Sequence, residues 1–283
     1  MKLATLRIAG GGTTAALATG DSYLALPAPD VGALLAKPEW HTIVERTSLS
    51  REQTVIGAAA ANVAQLLPRA SKVICCGLNY GDHIQEMGRD LPEYPTLFAK
   101  YADTLVGAND PVEVHGSGRV DWEAELAVVV GSELYRADED QAREAIAGYT
   151  VANDVSMRDW QNRTLQWFQG KAWDKTTPVG PVMVTADEAA EHFQVRGYVN
   201  GELVQDGNTR TLVFGPEKLL SYISQFTILR PGDLVLTGTP GGVGMGMNPP
   251  RFLQDGDTLT TEIEGIGRLE NQFRIHVPAT ASV

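Results

Sequence analysis

Read for its alternation of apolar and polar positions, the chain is a series of short strands broken by glycine, proline and asparagine turns. Lys2–Ile8 and Thr13–Leu26 flank the glycines at 10–12, and Gly20–Asp21 marks a second turn. The spacing of Val31, Leu34, Leu35 and Ile43 predicts a helix over Asp30–Thr47, entered through Pro29–Asp30. A polar stretch near Ser48–Thr54 follows, with Pro68 close behind. These features mark residues 1–67 as a small N-terminal α+β domain and 68–283 as the main body. In the body, Lys72–Leu78 is a short apolar run and Asp82–Gly88 fits two helical turns. Strands are predicted at Leu97–Tyr101, Val112–Val114, Glu123–Val130 and Thr150–Asn153, with a helix over Asp138–Ala147. Further strands are expected at Val195–Val199, Asp233–Thr237, Thr258–Ile263 and Leu269–Val277, and an amphipathic helix at Pro216–Ser224. Strands outnumber helices without regular βαβ repetition, which predicts an α+β fold that is mainly β.

Composition narrows the functional classes. The net charge of −12 argues against a nucleic-acid partner, because phosphate binding needs a basic stripe and none interrupts the acidity. The first fourteen residues are broken by glycines and read as neither a signal peptide nor a membrane span. Cys75 and Cys76 are adjacent, a poor arrangement for an intrachain bridge. Reduced cysteines in a strand suit the cytoplasm, the expected location. Gly10-Gly11-Gly12-Thr13-Thr14-Ala15 has the spacing of a dinucleotide fingerprint, but Gly20–Asp21 leaves no room for the helix that such a loop must open, so it is read as a turn.

The candidate chemistry lies in three segments. In Asp121-Trp122-Glu123-Ala124-Glu125, residues two apart share a strand face, so Glu123 and Glu125 lie side by side at the mouth of an apolar run. Two neighbouring carboxylates repel and are costly to desolvate, and a hard divalent cation removes the conflict. Asp154 ends another apolar strand and is a third candidate ligand. His83 and Glu86 stand three residues apart, where a carboxylate can orient an imidazole as a general base. Lys171, between Gly170 and Ala172-Trp173, is placed to steady a developing oxyanion. Each signal has a plain alternative: a solvated strand face, a helix cap, a surface ion pair, a snorkelling lysine.

Taken together and in order, the segments resemble the fumarylacetoacetate hydrolase superfamily. The resemblance rests on Gly77-Leu78-Asn79-Tyr80…His83…Glu86…Gly88, Glu123-Ala124-Glu125-Leu126, Asn153-Asp154-Val155-Ser156…Arg158-Asp159, Lys171, Pro178-Val179-Gly180-Pro181, Asn200-Gly201-Glu202, and Thr237-Gly238-Thr239-Pro240-Gly241-Gly242-Val243-Gly244. It implies a rolled, mixed β-sandwich, a homodimer, and a Mg²⁺ ion, with Mn²⁺ or Ca²⁺ as substitutes, held by Glu123, Glu125 and Asp154. It further implies His83 and Glu86 as a catalytic pair on a segment that closes over substrate, with Lys171 near the reacting oxygen. Lys100, Arg158, Gln161 and Thr239 are the implied substrate-binding residues. The expected activity is hydrolysis of a C–C bond in an acylpyruvate-type 2-oxo acid, with His83 activating water and a pyruvate enolate leaving. Isomerisation or decarboxylation of a 2-oxo dioate at the same site is the alternative.

Overall fold

The computed structural model describes residues 1–81, 84 and 90–277. Its centre is a twisted sheet whose innermost strands are Ala124–Val130, Ile146–Asn153 and Thr177–Thr185. On one side follow Leu234–Leu236, Val73–Gly77 and Thr96–Lys100. On the other lie the N-terminal strands Lys2–Arg7, Thr13–Thr19, Ser22–Ala25 and Val55–Gly57. Most pairs are antiparallel, but Leu234–Leu236 runs parallel to Val73–Gly77, so the sheet is mixed. A second sheet of five strands contains Gln194–Val199, Thr258–Ile263 and Gly267–His276, with Glu202–Asn208 and Val112–His115 at its edges. The architecture is mainly β, a rolled sandwich of mixed sheets.

Among the described residues four apolar clusters hold it together, and three of them cover the central strands of the large sheet. Leu126, Val151, Val182 and Val184 of the large sheet meet Val195, Ile263 and Leu269 of the second sheet. Elsewhere on the large sheet, Val128, Val130 and Ile74 are covered by Leu219, Leu220 and Ile223 of the helix Pro216–Ser224. A third layer joins Leu3, Ala127, Val129 and Leu234 to Val31, Leu34, Leu35 and Trp40 from the N-terminal helices. Residues 1–67 are therefore continuous with the body: Lys2 and Leu3 pair with Val184 and Met183, and this apolar layer spans both parts. Among the described residues, no helix is long and apolar enough to cross a membrane.

Where the elements differ from the sequence reading, local chemistry explains it. The helix expected over Asp30–Thr47 is two, Val31–Leu35 and Trp40–Leu49, separated around Pro38, which has no N–H to give and a fixed φ. Asp30 caps the first, its side chain accepting the Ala33 N–H at 2.8 Å. The helix expected to reach Ala147 stops at Glu144, and Ile146 already begins the strand. Thr177–Thr185 was not foreseen as a strand, because Pro178, Gly180 and Pro181 break its pattern. The structure accommodates them through a register shift against Ile146–Asn153 and a Gly180 φ of +132°.

Candidate metal centre and active site

The segment from Arg119 to Val129 alternates so that charge occupies one row. Val120 and Trp122 are buried in apolar surroundings, while Asp121, Glu123 and Glu125 turn the other way. Further along, Ala127 and Val129 carry this row into the core. Asp154 follows the neighbouring strand Ile146–Asn153, and its N–H donates to the Glu123 carbonyl at 2.9 Å. Asn153 braces the junction: its side-chain oxygen accepts the Glu123 N–H at 3.0 Å and its amide donates to Thr261 Oγ1 at 2.9 Å. As a result, Glu123, Glu125 and Asp154 each bring one carboxylate oxygen to within 4.8 Å of the others.

Cations surround this cluster unevenly. Lys171 Nζ donates to Glu123 Oε2 at 2.7 Å and to Asp154 Oδ2 at 2.9 Å. Lys100, at the end of the strand Thr96–Lys100, donates to Asp154 Oδ1 at 2.5 Å. Arg158 spans three partners: Asp121 Oδ2 at 2.8 Å, Glu123 Oε1 at 2.7 Å and Gln161 Oε1 at 2.8 Å. All three cations are buried. Lys171 and Gln161 are drawn together because their helices, Phe168–Lys171 and Arg158–Gln161, touch at Gly170, where a Cβ would lie 2.5 Å from Gln161 Cβ.

Among the described residues, Glu125 has no such hydrogen-bonded cation. Its Oε2 accepts the Gly238 N–H at 2.8 Å. Gly238 adopts φ +99°, and a Cβ there would sit 2.9 Å from the Cys76 carbonyl, so this close backbone approach requires glycine. Burial, then the Asp154 and Glu123 charges, push the Glu125 carboxyl well above the usual glutamate range. Asp154 behaves oppositely: burial would raise it, but Lys100 and Lys171 outweigh burial and hold it low. Burial likewise opposes the Lys171 charge, yet Asp154 and Glu123 keep its ammonium above the ordinary lysine value. Burial raises both neighbouring thiols, Cys76 to about 12, which makes them poor nucleophiles.

This donor set fits a hard divalent cation. Three convergent carboxylates, with no imidazole or thiolate in the cluster among the described residues, favour Mg²⁺, Mn²⁺ or Ca²⁺ over zinc. The burial and carboxylate repulsion that raise Glu125 are the cost that such an ion removes.

The structure brings Lys100, Arg158, Gln161 and Lys171 into contact with the candidate ligand carboxylates or with each other. Thr239 lies one layer out: its hydroxyl donates to the Ala124 carbonyl at 3.0 Å and accepts from Gln205 at 2.8 Å. His83 and Glu86 lie outside the described residues. Sequence reasoning gave no role to Asp121, Asn153 or Gln205, while the glycine-rich loop at Thr237–Gly244 reads as a turn able to offer backbone N–H groups to an anionic ligand, and here the Gly238 N–H goes to Glu125. Asp121 was detectable, since it shares the alternation that singled out Glu123 and Glu125. Gln205, whose Oε1 accepts the Ala124 N–H at 2.9 Å, carried no local signal.

Comparison with known proteins points to one family. Residues 72–274 match the family model for the fumarylacetoacetate hydrolase C-terminal domain. The mitochondrial oxaloacetate tautomerase FAHD2A of Homo sapiens is 42% identical over 234 residues, 81% of this chain and 74% of that protein. Among solved structures, the fumarylacetoacetate hydrolase of Exiguobacterium antarcticum is 32% identical with a TM-score of 0.84, covering 98% of this chain and 100% of that one. A 5-carboxymethyl-2-hydroxymuconate delta-isomerase from Mycobacterium smegmatis is 30% identical with a TM-score of 0.79, covering 97% and 100%. The maleylpyruvate hydrolase of Sphingobium sp. SYK-6, solved with manganese(II) and pyruvate, is 25% identical with a TM-score of 0.81, covering 98% and 100%.

Proposed function

The chain belongs to the fumarylacetoacetate hydrolase family, and on that premise we propose that it is a divalent-cation-dependent enzyme interconverting the keto and enol forms of a 2-oxo dioate such as oxaloacetate. The observation that carries the cation-dependent part is the convergence of Glu123, Glu125 and Asp154, with no cation hydrogen-bonded to Glu125 among the described residues. The choice of tautomerisation rests on the 42% identity to a protein named for that reaction.

A cation held by these three carboxylates would supply Lewis-acid stabilisation of negative charge on the 2-oxygen. The protein does the rest. Lys100 and Lys171 engage both oxygens of Asp154, and Lys171 and Arg158 engage both oxygens of Glu123, so neither ligand is free to rotate away. The two ammonium groups are fixed in a buried setting, where they favour an enolate over its neutral parent without reorganising. His83, oriented by Glu86, removes the proton from C3, and a proton returns to the 2-oxygen to give the enol. Gln161 and Thr239 orient the carboxylate end of the substrate.

C–C hydrolysis of an acylpyruvate is the second reading, favoured by the likeness to two enzymes named as hydrolases. In that case His83 takes its proton from water, which attacks the distal carbonyl. The bond to C3 breaks, leaving a carboxylic acid and the enolate of pyruvate. One experiment separates the two. Protein purified with Mg²⁺ or Mn²⁺ is given enol-oxaloacetate, followed by ultraviolet absorbance, and an acylpyruvate, followed by pyruvate release. Cation-dependent loss of enol without pyruvate release is the expected result. Pyruvate release without faster enol decay would transfer the assignment to hydrolysis. Neither activity with any divalent cation would end both readings.

A further inference from the structure

A row of side chains crosses the large sheet through the metal centre and continues beyond it. Glu123 and Asp154 are neighbours in that row, because the Asp154 N–H donates to the Glu123 carbonyl and extends the ladder that pairs Ala124 with Asn153. On its other side the strand Ile146–Asn153 pairs with Thr177–Thr185, with Val151 opposite Gly180 and Ala152 opposite Val179. Two residues further, the same register sets Asp154 opposite Thr177, which in turn pairs with Leu105. Ala152, Val179 and Leu105 all belong to the apolar layer that also holds Ala127 and Val129, the continuation of the row of Glu123 and Glu125. Thr177 therefore shares the face of the sheet that bears the acidic cluster. Directly opposed residues in such a ladder have Cβ atoms about 4.5–5.5 Å apart.

Thr177 is fully buried, and its hydroxyl has no hydrogen-bond partner among the described residues. Other threonines as deeply buried do have one. Thr150 donates to the Val182 carbonyl at 2.8 Å, Thr176 to that of Trp173 at 2.8 Å and Thr237 to that of Leu126 at 2.9 Å. An unpaired buried hydroxyl costs free energy, and a valine would fill the same space without that cost. Asp154 supplies a reason for it. Its Oδ1 accepts from Lys100 and its Oδ2 from Lys171. Lys171 has Glu123 as a second partner, whereas Lys100 is hydrogen-bonded to Asp154 alone among the described residues. A divalent cation shared by Glu123, Glu125 and Asp154 repels both ammonium groups, and Lys100 has no second carboxylate to retain it. Asp154 then needs a donor that carries no charge, and Thr177 is the neutral hydroxyl beside it.

We propose that Thr177 is a positioning residue of the metal centre: in the cation-loaded enzyme its hydroxyl donates to Asp154 in place of the Lys100 ammonium and holds the carboxylate towards the cation. This role rests on the reading of the acidic cluster as a cation site. Thr177 acts through Asp154 and touches neither substrate nor cation.

The test measures Mn²⁺ affinity by calorimetry and cation-free stability by urea unfolding, both on the full chain. Thr177→Val keeps the shape of the side chain and removes the hydroxyl. It should weaken Mn²⁺ binding by roughly 10- to 100-fold, the range of a hydrogen bond to a charged group, while the cation-free protein is as stable as wild type or more so. Thr177→Ser keeps a hydroxyl and should recover most of the affinity. Lys100→Met should bind Mn²⁺ at least as tightly as wild type, because the ammonium it removes competes with the cation. Unchanged Mn²⁺ affinity in Thr177→Val would overturn the role. A loss of cation-free stability in that variant would overturn it too, since the hydroxyl would then already be bonded before the cation arrives. Weaker Mn²⁺ binding by Lys100→Met would show Lys100 still holding Asp154 in the loaded enzyme and overturn the exchange. Failure of wild type to bind Mn²⁺ at all would overturn the metal-centre reading, and the role of Thr177 with it.

Discussion

Asp121 and Glu125 sit four residues apart in one row, equally buried, and their surroundings differ in kind. Asp121 accepts the backbone N–H groups of Trp122, Gly244 and Met245 at 2.8, 2.7 and 3.0 Å, and the Arg158 Nε–H at 2.8 Å. Its charge is fully compensated by the protein itself. Glu125 receives one backbone N–H and faces two other carboxylates. A buried carboxylate with a complete shell fixes structure, whereas one left incomplete is poised for a cation from solution. The contrast also assigns Arg158 a double role, since it closes the shell of Asp121 and orients Glu123.

The sharpest way to break this contrast is to neutralise each acid in turn. Glu125→Gln should lower cation-dependent activity by about three powers of ten or more, equivalent to several kcal/mol of transition-state stabilisation. Calorimetry should show Mn²⁺ affinity falling with it, while urea unfolding of the cation-free protein shows no loss of stability. Retained Mn²⁺ binding would remove Glu125 from the ligand set. Asp121→Ala should behave in the reverse manner. It leaves the Arg158 guanidinium buried beside a missing partner, and should destabilise the fold by about 3–5 kcal/mol in urea titrations. A variant with unchanged stability would show that the Asp121 corner is not structural.

A smaller effect is expected from pH. The folded Glu125 carboxyl is raised above its unfolded value, so in cation-free protein its contribution is fully present below the ordinary glutamate pKa and is lost as pH rises through the raised folded value. Asp154 has the opposite sign: its stabilisation is present above the ordinary aspartate pKa and is lost as pH falls through the depressed value. The gain in Tm on adding Mn²⁺ should therefore grow from pH 5 towards pH 8. At a hundred times Kd the corresponding stabilisation free energy should approach about 2.7 kcal/mol. Calorimetric scans across that range check this, and a gain independent of pH would contradict the state assigned to Glu125.

His83→Ala sharpens the comparison from the side of chemistry. Turnover should drop by roughly 10²–10⁴-fold with Mn²⁺ affinity preserved, because the imidazole is assigned to proton transfer and not to the ligand set. The smallest change is expected for Thr239→Val, which loses a hydrogen bond to the Ala124 carbonyl and one from Gln205. A rise in KM of about five- to tenfold, near 1 kcal/mol, should accompany an almost unchanged kcat.

How much of this was legible in the sequence depended on whether the signal was local. Alternation along Asp121–Val130 was enough to place Glu123 and Glu125 on one face, because a strand has period two whatever surrounds it. The helix at Pro216–Ser224 was equally plain, with Pro216 at its first turn and Leu219, Leu220 and Ile223 on the buried side. The partners of Lys171 were not legible. The family resemblance implied a lysine near the reacting oxygen, and only the packing of its helix against Arg158–Gln161 shows it tied to Glu123 and Asp154. Thr177–Thr185 was hidden for the opposite reason, since its prolines and glycine spell a turn locally while its neighbours hold it extended. Glu202–Asn208 escaped notice because its sequence is polar and it lies at a sheet edge.

The pairing of Lys2 and Leu3 with Val184 and Met183 has a practical consequence for dividing the molecule. A fragment cut to residues 72–274 would lose the strand that covers one side of Thr177–Thr185, leaving unpaired N–H and C=O groups along a bare margin. It would also strip the cover contributed by Val31, Leu34, Leu35 and Trp40 from Ala127, Val129 and Leu234. A naked strand margin beside uncovered apolar surface is a template for intermolecular pairing. Such a fragment is expected to self-associate in light scattering unless residues 1–67 are supplied with it, as a separate peptide or in the same chain.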